Sequence, residues 1–256
     1  MGLNPVSNSG LTAAVINKLS RDKQQYPWQI LGVDQPSDIR TSFTVSIDDI
    51  EAMCREIKES EYPIIKVKMG FEDDEKLADR LSDFPDKLFR IDANCGWDLE
   101  KAERMICLLS RANIEIIEQP TAVEFIKDWK YIKGKAKTPV IVDEGMLSIE
   151  DYYRYADFVD GVNIKMPKCG GVLNGRKICL AARKDRLKIM LGCMVESSIG
   201  IIQSVYISSL ADYLDLDGPL LLKNDISSDI KYDREKIIIT EDIIGGPCLN
   251  EKYLNA

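Results

Sequence analysis

The chain has 256 residues and a formal net charge of −8, with 42 acidic and 34 basic side chains interspersed along it. This length suits one large domain or an α/β barrel, and the mixed, acid-leaning charge argues against a nucleic-acid binder or a membrane-surface protein. There is no histidine, which removes serine–histidine and cysteine–histidine nucleophile systems, histidine metal sites and histidine bases, and leaves proton transfer to Lys, Asp, Glu, Tyr or Cys.

The seven cysteines (54, 95, 107, 169, 179, 193 and 248) form no CxxC pair. They imply a reduced, cytoplasmic protein with neither a disulfide framework nor a thiolate zinc site. No apolar run reaches the roughly 18 residues of a membrane span, and the Met1–Ser7 stretch has no signal-peptide pattern.

Residues 1–10 are polar and turn-rich and read as a frayed end. Leu11 to Gln24 reads as a helix with Leu11, Val15, Ile16 and Leu19 on its apolar face, and Pro27 begins a connector that runs to Arg40. From Thr41 the pattern repeats. Predicted strands start near 41, 64, 88, 114, 139, 161, 188 and 213, in steps of 22 to 27 residues. Between them lie helical patterns, among them Asp48–Glu59, a stretch opening at the N-cap residue Asp98, one near Val123–Ile132, and one opened by the capping-box-like Ser148–Asp151. Eight parallel β units at this pitch predict an α/β fold of the TIM-like (β/α)₇β barrel type. The segment after Asp217 is loop-like, so the eighth helix is expected to be missing, and Lys231–Thr240 is expected to form a short strand or hairpin.

Three of the strands end on carboxylates: Asp92, Glu118 and Asp143, spaced 26 and 25 residues apart. A strand, its crossover helix and two loops take about that length, so the three acids are expected at equivalent ends of successive strands, converging on one site. Their mutual repulsion calls for neutralisation, most simply by a divalent, oxygen-seeking cation. Active sites of such barrels lie at the C-terminal strand ends. Other polar residues there are Lys66 and Lys68, Asn94, Glu144, Lys165, Cys193, Glu196, Asp215 and Asp217. Lys66 and Lys68 share a face of their strand, and two close ammonium groups are expected to lower each other's pKa, making one usable as a base. Lys66 is alternatively only a partner for a metal-bound acid. Lys68 and Lys165, four strands apart in the ring, face each other across the mouth. One would remove an α-proton from a substrate carboxylate held between them and the other would return one, inverting a stereocentre.

The pieces Lys66-Val-Lys68, Arg90-Ile-Asp-Ala-Asn-Cys-Gly-Trp97, Ile117-Glu-Gln-Pro120, Val142-Asp-Glu144 and Asn163-Ile-Lys165 resemble the enolase superfamily, specifically its muconate-lactonizing-enzyme subgroup. The resemblance runs from Thr41 to Asp217. It implies Asp92, Glu118 and Asp143 as ligands of one Mg²⁺ and Lys68 and Lys165 as the acid/base pair, with Lys66, Asn94 and Glu144 supporting them. Gly192-Cys-Met-Val-Glu-Ser197 and Asp215-Leu-Asp217 further resemble the dipeptide epimerases, in which an Asp-x-Asp pair binds the substrate's α-ammonium group. This implies Asp215, Asp217, Cys193 and Met194 as substrate-binding and a dipeptide as substrate. The activity best known in that group is epimerisation of L-Ala-D-Glu and L-Ala-L-Glu in murein peptide recycling. A homo-oligomer is compatible with the resemblance. Two alternatives stay open: an o-succinylbenzoate synthase or cycloisomerase of the same subgroup, and a non-catalytic barrel. The resemblance also implies an organisation in which residues 1–40 are the remnant of an N-terminal capping domain that is roughly a hundred residues longer in the family. Residues 41–224 would then form the catalytic barrel, and 225–256 a tail packing toward the cap side.

Overall fold

The computed structural model describes residues 4–133, 135, 137–240 and 243–253. Eight strands, β1 (Phe43–Val45), β2 (Ile64–Lys68), β3 (Leu88–Asp92), β4 (Ile114–Glu118), β5 (Val140–Val142), β6 (Gly161–Lys165), β7 (Lys188–Gly192) and β8 (Tyr213–Asp215), lie in one sheet in chain order. Every neighbouring pair is parallel. A Thr41–Leu214 bridge brings β8 back to the start of β1 and closes the ring. This is the expected (β/α)₇β barrel.

The strands are covered on both faces, which is why they read as nearly continuous Val and Ile runs rather than as alternating ones. Inside the ring, Ile116, Ile141 and Met190 pack together with Tyr213. Each stands two residues before a strand-end position (Glu118, Asp143, Gly192, Asp215), so alternation makes this apolar layer the floor beneath the polar mouth.

The crossover helices start where local chemistry predicts. Asp49 accepts from Glu51 N–H to cap the helix Ile50–Glu59, Asp98 accepts from Lys101 N–H at 2.6 Å, and Ser148 accepts from Asp151 N–H. The segment Val123–Tyr131 is a 3₁₀ helix rather than the α-helix that its pattern suggested. Among the described residues no α-helix follows β8. A 3₁₀ turn at Gly218–Leu221 leads instead to a hairpin of β9 (Ile230–Asp233) and β10 (Lys236–Ile239). Its outer edge pairs with the chain entering β1: Ile237 N–H donates to Ile39 O and Thr41 N–H to Glu235 O.

The N-terminal region departs from expectation in two ways. The helix α1 spans Pro5–Lys23 instead of starting at Leu11, because Asn4 caps it through Ser7 N–H and Pro5 occupies its first turn. Met1–Leu3 of the expected frayed end lie outside the described residues, as do 241–242 and 254–256 of the tail. The buried face of α1 is Ser9, Ala13, Ile16 and Ser20, while Leu11, Val15 and Leu19 are exposed. Polar anchoring explains the rotation. Asn8 Nδ2 donates to Gly170 O, Gln203 Nε2 to Ser9 Oγ, and Tyr206 OH to Asn17 Oδ1. A Cβ on Gly171 would sit 2.9 Å from Ser9 Cα, so only glycine lets the helix approach the turn that follows the short helix Met166–Cys169 this closely. The connector also holds a short helix, α2 (Pro27–Leu31).

Candidate active site

The structure brings the sequence-predicted residues to one end of the barrel. Lys66 is buried at the centre of the cluster, its Nζ 2.9 Å from Asp92 Oδ2, 2.8 Å from Glu118 Oε2 and 2.8 Å from Asp215 Oδ2. Lys68 Nζ donates to Asp92 Oδ2 at 2.7 Å and to Asn94 Oδ1 at 3.1 Å. Asn94 Nδ2 continues the network to Glu144 Oε1. On the opposite side, Lys165 Nζ donates to Asp143 Oδ2 at 2.8 Å. The ends of β2 and β3 are held against each other by glycines: a Cβ on Gly96 would lie 2.2 Å from Gly70 Cα.

Sequence reasoning did not single out three further contributors. Lys168, one turn beyond Lys165, donates to Asp143 Oδ1 at 2.7 Å. Asn163 Nδ2 donates to Glu118 Oε1 at 2.7 Å. The Gln119 side-chain carbonyl accepts from the backbone N–H of both Asp143 and Glu144, fixing the turn after β5. Alternation would have found Asn163, which shares the inward face of β6 with Lys165. Lys168 lies in a short helix, where strand alternation has no bearing.

The electrostatics reverse one expectation. Lys66 is not a lysine of lowered pKa. Burial favours its neutral form, but the carboxylates of Asp215, Asp92 and Glu118 outweigh burial and hold the ammonium well above its usual range. For Lys165 as well, burial is outweighed by Asp143 and Glu118, and the pKa is raised. Burial opposes ionisation of Asp92 too, yet Lys66 and then Lys68 keep its carboxyl below the usual range. Glu118 is the exception: burial and the Asp92 charge push it up to about 8 even though Lys66 lies within salt-bridge distance. One ammonium shared among three carboxylates does not compensate all of them.

Among the described residues no three acidic or cysteine side chains converge as a preformed metal cluster, because lysine ammonium groups stand between the carboxylates. The donor chemistry nevertheless fits a hard cation. Asp92, Glu118 and Asp143 offer only oxygen. Glu144 Oε2 and Asn163 Oδ1 are buried without a hydrogen-bond donor, and Glu118, whose carboxylate form is disfavoured by burial and by Asp92, has only the shared Lys66 ammonium at Oε2.

At the β8 end, Asp215 Oδ1 accepts from Ser42 Oγ at 2.7 Å, and Asp217 Oδ2 accepts from Thr44 N–H at 2.8 Å. The two aspartates therefore brace the β1–β8 closure. Lys66, in turn, holds Asp215 ionised against its burial, whereas burial and the Asp215 charge push Asp217 up to about 6. Cys193 Sγ lies 4.0 Å from Asp217 Oδ1. Met194 is half exposed on the loop after β7, where its backbone N–H donates to Glu196 Oε1.

The sequence profile described as "Enolase C-terminal domain-like" matches residues 49–225. The chain belongs to this family. An L-Ala-D/L-amino acid epimerase from Flavobacterium johnsoniae is 35% identical over 190 residues, covering 74% of this chain and 56% of that protein. An L-Ala-D/L-Glu epimerase from Bacteroides thetaiotaomicron is 31% identical, covering 84% and 57% respectively. The present chain thus spans rather more than half the length of these two relatives. Among solved structures, a dipeptide epimerase from Cytophaga hutchinsonii, complexed with Mg and D-Ala-L-Val, superposes with a TM-score of 0.90 at 26% identity. It covers 98% of this chain and 72% of its own. The family's (β/α)₇β barrel is therefore present here from β1 to β8. Among its described residues no helix is long and apolar enough to cross a membrane.

Proposed function

We propose that this barrel is the catalytic part of a Mg²⁺-dependent epimerase. It inverts the α-carbon of the C-terminal residue of a dipeptide of the L-Ala-D/L-Glu type, as in murein peptide recycling. The observation that carries this reading is the pair Lys68 and Lys165. They stand on strands four apart in the ring, each hydrogen-bonded to a strand-end carboxylate.

Asp92, Glu118 and Asp143 would hold the Mg²⁺, which supplies positive charge against the substrate carboxylate and against the negative charge that develops as the α-proton leaves. Lys68 Nζ and Lys165 Nζ address opposite faces of the α-carbon. The one that is neutral takes the proton, and the other, protonated, returns one to the opposite face. Lys66 stays charged throughout and keeps Asp92 and Glu118 in place. Asn163 orients Glu118, and Lys168 fixes Asp143. The Asp215–Asp217 pair, with Cys193 beside it, receives the substrate's α-ammonium group.

The test is a panel of L-Ala-X dipeptides offered to the purified chain with Mg²⁺. Epimerisation of at least one member, lost with EDTA, supports the reading. Turnover only of carboxylates that lack an amine supports a cycloisomerase or synthase instead.

The ammonium site also makes the binding pH-dependent. Asp217 titrates at about 6; above this it is a carboxylate that attracts an ammonium group, and below it is neutral. The affinity for a free-amine dipeptide is therefore expected to rise as pH increases through about 6 and then level off, by roughly tenfold per charge-assisted hydrogen bond. The N-acetyl form of the same dipeptide, measured alongside by calorimetry, should show no such step. Equal pH dependence of both forms would remove Asp217 from the site.

A further inference from the structure

Asp74 opens the helix Asp74–Leu81, a few residues past Lys68, and is completely buried. A carboxylate in such a place is stable when its oxygens are filled with donors, and this one is filled from two successive β/α units. Oδ1 accepts from Gly70 N–H at 3.0 Å and from Phe71 N–H at 3.3 Å, in the turn that follows β2. Oδ2 accepts from the Trp97 indole Nε1–H at 2.6 Å and pairs with Lys101 Nζ at 2.9 Å, both beyond β3. Lys101 Nζ also donates to Phe71 O at 2.8 Å, and Trp97 is tied onward through its backbone N–H to Pro120 O. The two turns touch, since a Cβ on Gly70 would sit 2.5 Å from Ala93 O. A helix start needs no more than a nearby acceptor. The indole and the ammonium that reach Asp74 from the next unit make it a cross-link.

We propose that Asp74 is a positioning residue for Lys68, so that the protein aims one of its two proton-transfer lysines separately from the other. The inference rests on the epimerase reading and adds a residue to its machinery. Lys68 needs this support more than Lys165 does. Its side chain is 27% exposed against 9% for Lys165. Its ammonium is held by Asp92 Oδ2 at the end of β3 and by Asn94 Oδ1 in the turn beyond. Lys68 is the last residue of β2, so its aim follows the turn at Gly70, whereas that of Asn94 follows the turn at Trp97. Asp74 fixes these two turns to each other, and thereby Lys68 against Asn94. Lys165 instead runs straight into the helix Met166–Cys169, whose Lys168 shares Asp143 with it. None of the Asp74 partners lies on that strand or helix.

The experiment compares Asp74→Asn, Trp97→Phe, Lys101→Met and Lys101→Arg with wild type, Lys68→Ala and Lys165→Ala, all with Mg²⁺. The substrates are both epimers of the dipeptide of the panel that is turned over best. The readouts are α-proton exchange of each epimer in D₂O, kcat for epimerisation, melting temperature, and protection of the Trp97 indole N–H against hydrogen exchange, which needs no substrate. The two alanine variants establish which epimer each lysine serves. Asp74→Asn keeps an acceptor for the Gly70 and Phe71 N–H groups but turns an NH₂ donor toward the indole and the Lys101 ammonium. Asp74→Asn and Trp97→Phe are expected to slow exchange of the epimer served by Lys68 by about 10- to 100-fold, as for a misplaced reacting group, and to leave the other epimer within about twofold. Epimerisation uses both lysines, so kcat falls with the slower one. Lys101→Met should show the same bias more weakly, and Lys101→Arg, which still donates to Asp74 and Phe71 O, should remove it. A merely structural role would lower the melting temperature and slow both epimers alike. That result overturns the proposal, as does unchanged exchange in folded Asp74→Asn and Trp97→Phe proteins. If Asp74→Asn does not fold, Trp97→Phe, which strands no buried charge, carries the same comparison. A wild-type indole N–H that exchanges freely overturns the cross-link itself, whereas wild type that exchanges no dipeptide overturns the functional reading and the positioning role with it.

Discussion

Lys165→Ala and Lys68→Ala are each expected to lower epimerisation by about 10²- to 10⁴-fold, the range for loss of a positioned general acid or base. The geometry separates this loss from unfolding. Asp143 is shared by Lys165 and Lys168, and Asp92 by Lys68 and Lys66. Removing either outer lysine therefore leaves its carboxylate paired, and the variant should melt close to wild type. A two-sided mechanism makes a sharper demand. With one lysine gone, the remaining one still faces one side of the α-carbon, so each variant should exchange the α-proton of only one epimer, and the two variants should choose opposite epimers. Exchange of both epimers at wild-type rates in either variant would refute the assignment.

Lys66→Met should do something different: it should cost stability first. The lysine is only 2% exposed and lies within 2.9 Å of three carboxylates. Methionine fills the volume of the side chain without its charge, stranding Asp215 and Glu118 together and leaving Asp92 with Lys68 alone. Breaking a buried ion pair on one side costs roughly 3–5 kcal/mol, which for a domain of this size lowers the melting temperature by on the order of 10 °C. The deficit should shrink toward acid pH, because a protonated carboxyl needs no ammonium partner. Thermal melts at neutral and mildly acidic pH measure both effects. An unchanged melting temperature at neutral pH would mean that the cluster is not held by Lys66.

Much of this arrangement is legible in the amino-acid sequence. The spacing of Asp92, Glu118 and Asp143 identifies successive parallel strands, because one β/α unit has a narrow range of lengths. Alternation puts Lys66, Lys68 and Lys165 on inward faces, and the register bears that out. What the sequence hides depends on packing across distant parts of the chain. The inward face of α1 cannot be read from its leucines, because Asn8, Ser9 and Asn17 are what bind it to loops some 160 to 200 residues later. The raised pKa values of Lys66 and Lys165 are hidden for a related reason. Two lysines on one strand repel, but three carboxylates from β3, β4 and β8 surround the first and decide its charge. The Ser42–Asp215 hydrogen bond likewise arises only once β8 returns to β1.

The central claim is α-proton transfer between substrate and protein at this strand-end cluster, and deuterium exchange tests it most directly. The wild-type chain is incubated in D₂O with Mg²⁺ and L-Ala-D-Glu or L-Ala-L-Glu, and the C-terminal residue's α-carbon is followed by NMR. The account predicts that deuterium enters at that carbon from both epimers and that EDTA stops it. Epimerisation in which the product keeps its original α-hydrogen in full, or no exchange from any dipeptide of the panel, would contradict it.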